Sequence, residues 1–417
     1  MNVLLLGNGF DIYHHLPTNY HNFLNVANFL HDHYNEGKEF IGDVFSDKRL
    51  QDKDPYIAKC YKEHQEVYDT VILSPAKAKE IIDLCRDNLW FTYFTQSFNK
   101  ELGWIDFEKE IAFVLEVFNK FLLNVTVIPS MPNGEADACY ILNHFGFFLK
   151  TTTDGYIGFP TIKIKEKYII EYPKNSKNMV VNKDLIISTL SSMLDDVAKA
   201  LKLYLDCFVN ITIPRIAKEP YTKKCQAIAN IDHTVSFNYT NTYEKMYSSN
   251  KIYHLHGDVD RKIIIGVNPD TSDSIETIDT SFVSFKKYYQ RTLFETDHEY
   301  FKWVNDINET KEDFCLTVMG HSLDITDKDI IIELFDHARE IYVLYHNEEA
   351  KKSYIANLIK IFGKQMLDDL RRNKNLTFYS LNMDFTNFAD HLRSNSDEVY
   401  MMQYGDEKSF AESYWDE

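Results

Sequence analysis

The sequence predicts an α/β protein in which short buried strands of a mostly parallel sheet alternate with helices, interrupted by a large, mainly helical insertion. Short apolar runs end in glycine or polar residues, as at Val3–Leu6 and Leu316–Met319. A helical pattern over residues 350–372 separates two later runs of this kind. Strands that alternate with helices pair in parallel through right-handed crossovers.

The same patterns divide the chain of 417 residues into more than one unit. The sheet domain is predicted to comprise residues 1–28 and 229–394, and the helical insertion residues 29–228. Within the insertion, the alternation at residues 161–165 indicates a hairpin or flap. An acidic tail is predicted over residues 395–417.

Further strands of the sheet are predicted by apolar runs in the second half of the chain. Each is short and bounded by polar residues or glycine, as expected for a strand buried on both faces. These runs end at Phe237, Leu255 and Ile265, and two more cover Ile341–Leu344 and Leu376–Tyr379.

Composition excludes several functional classes. A net charge of −18 argues against a sequence-independent grip on nucleic acid, which depends on basic surface. The six cysteines form no C-x-x-C pair, which argues against a zinc ribbon and a disulfide framework, so no metal is expected. Neither a long apolar run nor a secretion signal is present, so we expect no membrane span and a cytoplasmic location.

A Gly-x-Gly turn, Gly7-Asn8-Gly9, follows the first strand. Its glycines would let the backbone approach a phosphate or ribose, and the next helix would add N–H groups. The full dinucleotide fingerprint has a third glycine at position 12, where this chain has Ile12. The alternative is a strand-to-helix turn that merely needs glycine.

Polar side chains follow two of the predicted strands. Asn238 and His256 stand where parallel strands present groups to a ligand. An amide and an imidazole there can hold a sugar hydroxyl or a water and take its proton. The alternatives are an asparagine that forms a turn and a histidine that is a satisfied buried side chain.

Two other sets of side chains are weaker candidates. Lys286, Lys287 and Gln290 lie on a predicted aromatic and basic helix, from which they could reach a ligand. A lysine-rich helical face is, however, more often solvated. Glu108 could be a pocket carboxylate contributed by the insertion or a surface residue, since glutamate is seldom buried.

Taken together, these motifs resemble the AbiH family of bacterial abortive-infection proteins. AbiH proteins are similar to the sirtuin-like NAD-hydrolysing domains of antiphage defence, which share a Rossmann-like sheet with an inserted helical module. The resemblance therefore implies a Rossmann-like, sirtuin-like fold for this chain. The segments that carry it are LLLGNGFDIYHHLPTNYHNFL, WIDFE, SFNYTNTYE, IYHLHG, IIIGVN, FKKYYQ and MGHSL.

The resemblance also implies roles for particular residues. Residues 7–9 occupy the place of the sirtuin loop that touches the dinucleotide, and Asn238 matches the asparagine that positions ribose and water. His256 matches the catalytic histidine, while Gly320 and Ser322 match the element that holds the adenosine side. The implied cofactor-binding set is Gly7, Asn8, Gly9, Phe10, Asp11, Tyr239, Gly266, Gly320 and Ser322.

Three departures from the sirtuin-like pattern are visible. Thr240 follows Tyr239 where an acidic residue is frequent, and Phe10-Asp11 replaces the usual small residues after the glycine loop. The missing cysteine pairs remove the zinc module of sirtuin deacylases, so the resemblance favours hydrolysis over deacylation.

The implied reaction is hydrolysis of the nicotinamide–ribose bond of NAD, which is the expected small-molecule substrate. His256 would be the base, Asn238 would fix the water or ribose, and Asp11 would stabilise cationic charge or hold a hydroxyl. The rival hypothesis is a nucleotide-binding sensor or scaffold that does not turn over its ligand; a nuclease is disfavoured by the charge. Expected partners are a phage-derived or host trigger and other copies of the chain, with the insertion or an oligomer contact gating the pocket.

Overall fold

A computed structural model of the chain describes residues 1–100, 107–122, 136–151, 161–171, 179–217, 228, 231–247, 251–267, 281–373 and 376–381. By their contacts, the described residues form two units. The first lies within Met1–His14, Ile213–Leu255 and Glu299–Glu417, and the second within His15–Thr212 and His256–His298. Residues 256–298 thus group with the helical unit, whereas the sequence predicted them in the sheet domain. The predicted tail, residues 395–417, lies outside the described residues.

The elements follow one another in a mixed order that is helical in its first half and alternating in its second. Up to residue 144 they are β1 (Asn2–Leu6), α1 (Gly9–Tyr13), α2 (Tyr20–His33), α3 (Ile41–Phe45), α4 (Lys48–Lys53), α5 (Pro55–Glu63), α6 (Gln65–Tyr68), α7 (Pro75–Cys85), α8 (Leu89–Lys100), α9 (Phe107–Leu122) and α10 (Ala136–His144). Then come β2 (Phe148–Thr151), β3 (Thr161–Ile164), β4 (Ile169–Glu171), β5 (Met179–Val181), α11 (Lys183–Tyr204) and α12 (Ile213–Ile216). The remainder are β6 (His233–Ser236), α13 (Thr242–Met246), β7 (Lys251–His254), α14 (Lys287–Phe294), α15 (His298–Thr310), β8 (Phe314–Met319), α16 (Lys328–His337), β9 (Ala338–Tyr345), α17 (Glu348–Asn373) and β10 (Thr377–Ser380).

Six strands of the first unit form one sheet in the order β10-β9-β8-β1-β6-β7, and every neighbouring pair is parallel. Numbered along this sheet, the order is 3-2-1-4-5-6, which is the doubly wound order of dinucleotide-binding folds. The predicted Rossmann-like α/β fold is therefore confirmed. The strand order reverses between β1 and β8, so the loops after these two strands meet at the ligand edge of the sheet.

Both faces of the sheet are covered, and β1 shows why its sequence is continuously apolar. Val3 and Leu5 point into one core with Trp303, while Leu4 and Leu6 point into another with Phe10. A strand buried on both faces cannot alternate apolar with polar residues. Each fully buried leucine contributes roughly 1.5–3 kcal/mol relative to exposure.

The second unit is mainly helical, as predicted for the insertion. Ser74 caps α7 by accepting a hydrogen bond from the Lys77 N–H, and Pro75 occupies the first helical position. Trp90 on α8 is fully buried and donates its indole N–H to the Leu190 carbonyl at 2.9 Å. The predicted hairpin is confirmed, since β2 pairs with β3, and β4 with β5, in antiparallel fashion. No helix among the described residues is long and apolar enough to cross a membrane.

The strand predicted to end at Ile265 is wrong. Ile263, Ile264 and Ile265 are buried, but they belong to no strand of the structure. Gly257, with a φ of 73°, turns the chain before them, and the Ile264 N–H donates to the His256 carbonyl at 2.8 Å. The apolar run correctly indicates burial, but here the burial occurs by packing in the helical unit and not by pairing in the sheet.

Candidate functional site

The glycines after β1 and β8 pack backbone against backbone at the point where the strand order reverses. The Gly9 N–H donates to the Gly320 carbonyl at 2.8 Å, and the Gly7 N–H donates to the Met319 carbonyl at 3.3 Å. A Cβ on Gly9 would lie 2.7 Å from the Gly320 Cα, and one on Gly320, whose φ is 73°, would lie 2.1 Å from the Phe10 nitrogen. Glycine is therefore required here by loop packing, and these two amides donate within the protein. The predicted phosphate contact of this loop stays a prediction.

Asp11 lies on α1, directly after that loop, and its carboxyl group is buried, with 1% of the residue exposed. Its Oδ2 accepts a hydrogen bond from the Thr240 hydroxyl at 2.6 Å, and the Thr242 hydroxyl donates to Thr240 at 3.0 Å. Burial raises the pKa of Asp11 to about 6; the two threonine hydroxyls act in the opposite direction, Glu244 adds to the rise and His254 opposes it.

Asn238 stands two residues after β6 and is 6% exposed. Its backbone N–H donates to the Ser236 hydroxyl oxygen at 3.2 Å, and its carbonyl accepts from the His254 Nδ1 at 3.0 Å. Both backbone groups are thus fixed by the ends of two adjacent strands. These two hydrogen bonds hold the backbone of Asn238 in place.

His254 ends β7 and forms a dyad with Glu244 on α13. Its Nε2 lies 2.5 Å from the Glu244 Oε1, and its Nδ1 faces the Asn238 carbonyl. A ring nitrogen that faces a carbonyl oxygen carries a proton, so His254 Nδ1 donates to the Asn238 carbonyl.

Three of these side chains, which we call the acceptor cluster, share one property. Asp11, Asn238 and Glu244 each keep one buried side-chain oxygen that has no hydrogen-bond partner among the described residues: Oδ1, Oδ1 and Oε2, respectively. Leaving a buried acceptor unpaired costs roughly 1–3 kcal/mol. Buried side-chain acceptors are usually hydrogen-bonded, so these three oxygens are exceptions among the described residues.

The structure brings Asp11 and Asn238, both predicted site residues, into this one unit. The sequence analysis missed Glu244 and His254, which are ten residues apart on a helix and a strand. The available signal was the His-x-His pattern at the end of β7, which drew attention to His256 instead. His256 is buried in the second unit, and its catalytic role stays a prediction.

The other predicted ligand-binding residues of the first unit differ in burial and in their contacts. Phe10 is fully buried in the core, and Tyr239 is half-buried. Ser322 is exposed, and its carbonyl accepts from the Asn357 amide at 3.1 Å. The unpredicted His321, next to Gly320, is buried; its Nδ1 accepts from the Leu323 N–H at 3.0 Å.

In the second unit, two separately predicted candidates contact each other. The Lys287 ammonium is buried and lies 2.6 Å from the Glu108 Oε1. The solvated interpretation is therefore wrong for Lys287. Gln290 donates to the carbonyls of Ile265 and Ser284, and a Cβ on Gly266 would lie 2.5 Å from the Phe285 carbonyl oxygen. Gln290 is thus half-buried and bonded to the backbone of the second unit.

Comparison with models of known protein families gives a match over most of the chain. The family model described as "Bacteriophage abortive infection AbiH" matches residues 3–346, which include the whole acceptor cluster. No curated protein matches the chain, and no solved structure matches it. Within the described part of the chain, no group of three histidine, cysteine or acidic side chains is arranged to hold a metal ion.

Proposed function

The chain belongs to the AbiH family of bacteriophage abortive-infection proteins, and on this premise we propose that it acts by hydrolysing NAD to nicotinamide and ADP-ribose. The observation that carries the proposal is a buried Asp11 whose Oδ1 has no hydrogen-bond partner among the described residues, in the same unit as Asn238, at the carboxyl edge of a sheet with the dinucleotide-binding strand order. The resemblance to sirtuin-like defence domains supports NAD as the dinucleotide.

Hydrolysis of NAD requires a group that stabilises positive charge on the ribose, and Asp11 is such a group. The ribose C1′–nitrogen bond breaks with its electron pair leaving on nicotinamide, and a water oxygen bonds to C1′ while its proton passes to a base. The sugar is cationic in the transition state, so a buried carboxylate stabilises it strongly. With a pKa of about 6, Asp11 is mostly ionised at pH 7 and still able to accept a proton.

Asn238 is suited to orienting a reactant. Its backbone is held on both sides by Ser236 and His254, so little freedom is lost when its amide binds water or a ribose hydroxyl. The predicted base, His256, remains an alternative to Asp11 for the proton of the water.

The test measures the release of nicotinamide from NAD by chromatography. The protein is assayed alone and together with an extract of phage-infected cells. We expect release by the wild type and at least a hundredfold slower release by Asp11→Asn and Asn238→Ala. The exposed Asp52→Asn variant is the matched control and should keep full activity. Binding of NAD without release under either condition would favour the sensor hypothesis. If the protein neither binds NAD nor releases nicotinamide, NAD is excluded as its ligand.

A further inference from the structure

A cavity of the second unit lies between α11 and α14, and all the residues that line it belong to that unit. Its volume is about 580 Å³, which is within the range of roughly 300–1,000 Å³ typical of ligand sites. Buried apolar side chains form part of its lining, namely Ile263, Ile265 and Phe285. We call this cavity the α11–α14 groove. Its lining residues surround one common space, separate from the acceptor cluster of the first unit.

Some apolar side chains of the groove are exposed to solvent. Tyr289 and Leu293 lie one turn apart on α14, both line the groove, and they are 36% and 57% exposed. On α11, Leu185 is 40% exposed, one turn before the lining residue Ser188. Removing such surface from water contributes roughly 25 cal/mol per Å². The exposed apolar surface extends past the cavity to Leu185, which favours a polypeptide segment over a small molecule.

The charged side chains of the groove favour a cationic partner. Lys262 is already engaged, because its Nζ lies 2.7 Å from the Asp195 Oδ1 and 4.3 Å from the centroid of the Phe294 ring. Asp184 lines the groove, is exposed, and forms no ion pair with any residue that the structure describes. One lysine and two aspartates give this lining a net negative charge, in a chain whose net charge is −18. A complementary partner therefore carries positive charge.

Two uncharged side chains of the lining are also left as hydrogen-bond acceptors. The Gln290 amide uses its N–H groups within the protein, donating to the carbonyls of Ile265 and Ser284 at 3.0 and 2.9 Å. The Ser188 hydroxyl donates to the Leu185 carbonyl at 3.1 Å. The side-chain oxygens of these two residues can therefore only accept. Lysine and arginine side chains carry donors and no acceptor, so they match this lining in hydrogen bonding as well as in charge.

We propose that the α11–α14 groove binds an amphipathic segment of a partner protein. Apolar side chains of the segment fill the groove, and one of its lysines or arginines pairs with Asp184. A helix with apolar residues at helical spacing and basic residues beside them presents both features together. A second copy of this chain is the less favourable occupant, because two chains of charge −18 repel each other. The proposal does not depend on hydrolysis of NAD.

The experiment measures the binding of three labelled peptides to the full-length protein by fluorescence anisotropy. Each peptide has about 18 residues, enough to form a helix. The first has leucines along one face and lysines beside them, the second has glutamate in place of each lysine, and the third has serine in place of each leucine. We expect saturable binding of the first peptide with a Kd below about 100 µM, and binding at least about tenfold weaker for the other two.

Variants of the protein locate the binding site. Leu293→Ser and Asp184→Asn should each weaken binding of the first peptide about five- to tenfold, and Ser191→Trp, which places a large side chain in the groove, should abolish it. The matched controls are Ile72→Ser and Asp52→Asn, which replace exposed residues of the same unit and should change the Kd less than about twofold. Circular dichroism and thermal unfolding check that each variant is folded.

Several outcomes would overturn the proposal. Equal binding of the lysine and glutamate peptides would contradict the charge argument, and an unchanged Kd in folded Leu293→Ser and Ser191→Trp would place binding elsewhere. Absence of saturable binding would also overturn it. If sedimentation shows that the wild type self-associates and Leu293→Ser does not, the occupant is a second copy and the proposed partner is wrong. None of these measurements involves nicotinamide release, so this proposal and the proposed function fail separately.

Discussion

Asp11 in the sheet unit and Asp54 in the helical unit are equally buried, each with 1% of the residue exposed, yet their bonding differs. Both oxygens of Asp54 are fully used. The carboxylate caps α5 through two backbone N–H groups and accepts two asparagine amides. The donors are Tyr56 N–H, Ile57 N–H, Asn22 Nδ2 and Asn25 Nδ2, at 3.1, 3.2, 2.8 and 3.2 Å.

Asp11, by contrast, accepts a hydrogen bond at Oδ2 from the Thr240 hydroxyl, while its Oδ1 has no partner among the described residues. Burial alone therefore does not identify a functional carboxylate. The difference lies in whether the protein supplies the hydrogen bonds that a buried charge requires. Asp54 organises a helix start and its neighbours, whereas Asp11 is held in an environment that disfavours its charge.

The largest effect should come from removing the satisfied carboxylate. Asp54→Ala leaves two helix-start N–H groups, the buried Asn22 amide and the half-buried Asn25 amide without their acceptor, so we expect the free energy of unfolding to fall by about 4 kcal/mol. Chemical denaturation measures this change. The exposed Asp52→Ala on α4 should change it by less than about 0.5 kcal/mol. A loss below about 1 kcal/mol in Asp54→Ala would break the comparison.

Asp11→Asn should raise the free energy of unfolding at pH 7, whereas Asp54→Ala should lower it. The pKa of Asp11 rises from 3.8 to about 6 on folding, so its stabilising contribution is present below pH 3.8 and is lost as the pH rises through 6. At pH 7 the ionised, buried carboxylate costs up to about 3 kcal/mol, at about 1.36 kcal/mol per pKa unit. An amide removes the charge while Thr240 can still donate to its oxygen.

We therefore expect Asp11→Asn to be more stable than the wild type at pH 7 and equally stable at pH 4, as measured by denaturation at both values. Increased stability together with lost activity is typical of residues kept for function. A variant that is less stable at both pH values would show that Asp11, like Asp54, has a structural role.

Much of the fold could be predicted from the sequence, because strands buried on both faces leave short apolar runs. β1 and β8 lie where Val3–Leu6 and Leu316–Met319 predict them. The strand predicted to end at Ile265 is wrong because apolar residues indicate that a segment is buried, but not which element buries it. The solvated interpretation of Lys287 is wrong because its buried partner, Glu108, lies far away in the chain and could not be identified from the sequence.

The candidate site was only partly predictable. Asp11 and Asn238 follow strands, and the edge of a parallel sheet is where ligands bind, so their positions carry a signal. The dyad of Glu244 and His254 carries none, because it depends on how α13 packs against the end of β7. The open oxygens are likewise properties of three-dimensional surroundings, since an asparagine or aspartate has the same letter whether or not its acceptors are paired.

The smallest expected effect concerns the hydrogen bond that Thr240 donates to Asp11. Thr240→Val removes the hydroxyl at nearly constant volume, so the ionised carboxylate loses the hydrogen bond to its Oδ2 and the pKa of Asp11 rises further. A hydrogen bond to a charged group contributes roughly 1.5–3 kcal/mol, so the free energy of unfolding should fall by about 1.5 kcal/mol at pH 8.

At pH 5 the carboxyl group is mostly protonated in both proteins, so the loss from Thr240→Val should shrink to about 0.5 kcal/mol or less. Thr292→Val is the matched control, because Thr292 is exposed on α14 and its hydroxyl bonds only a helix carbonyl, that of Tyr288. Its small effect should not depend on pH. An equal loss at pH 5 and pH 8 for Thr240→Val would mean that the hydroxyl supports packing and not the charge of Asp11, and the contrast with Asp54 would then rest on the open oxygen alone.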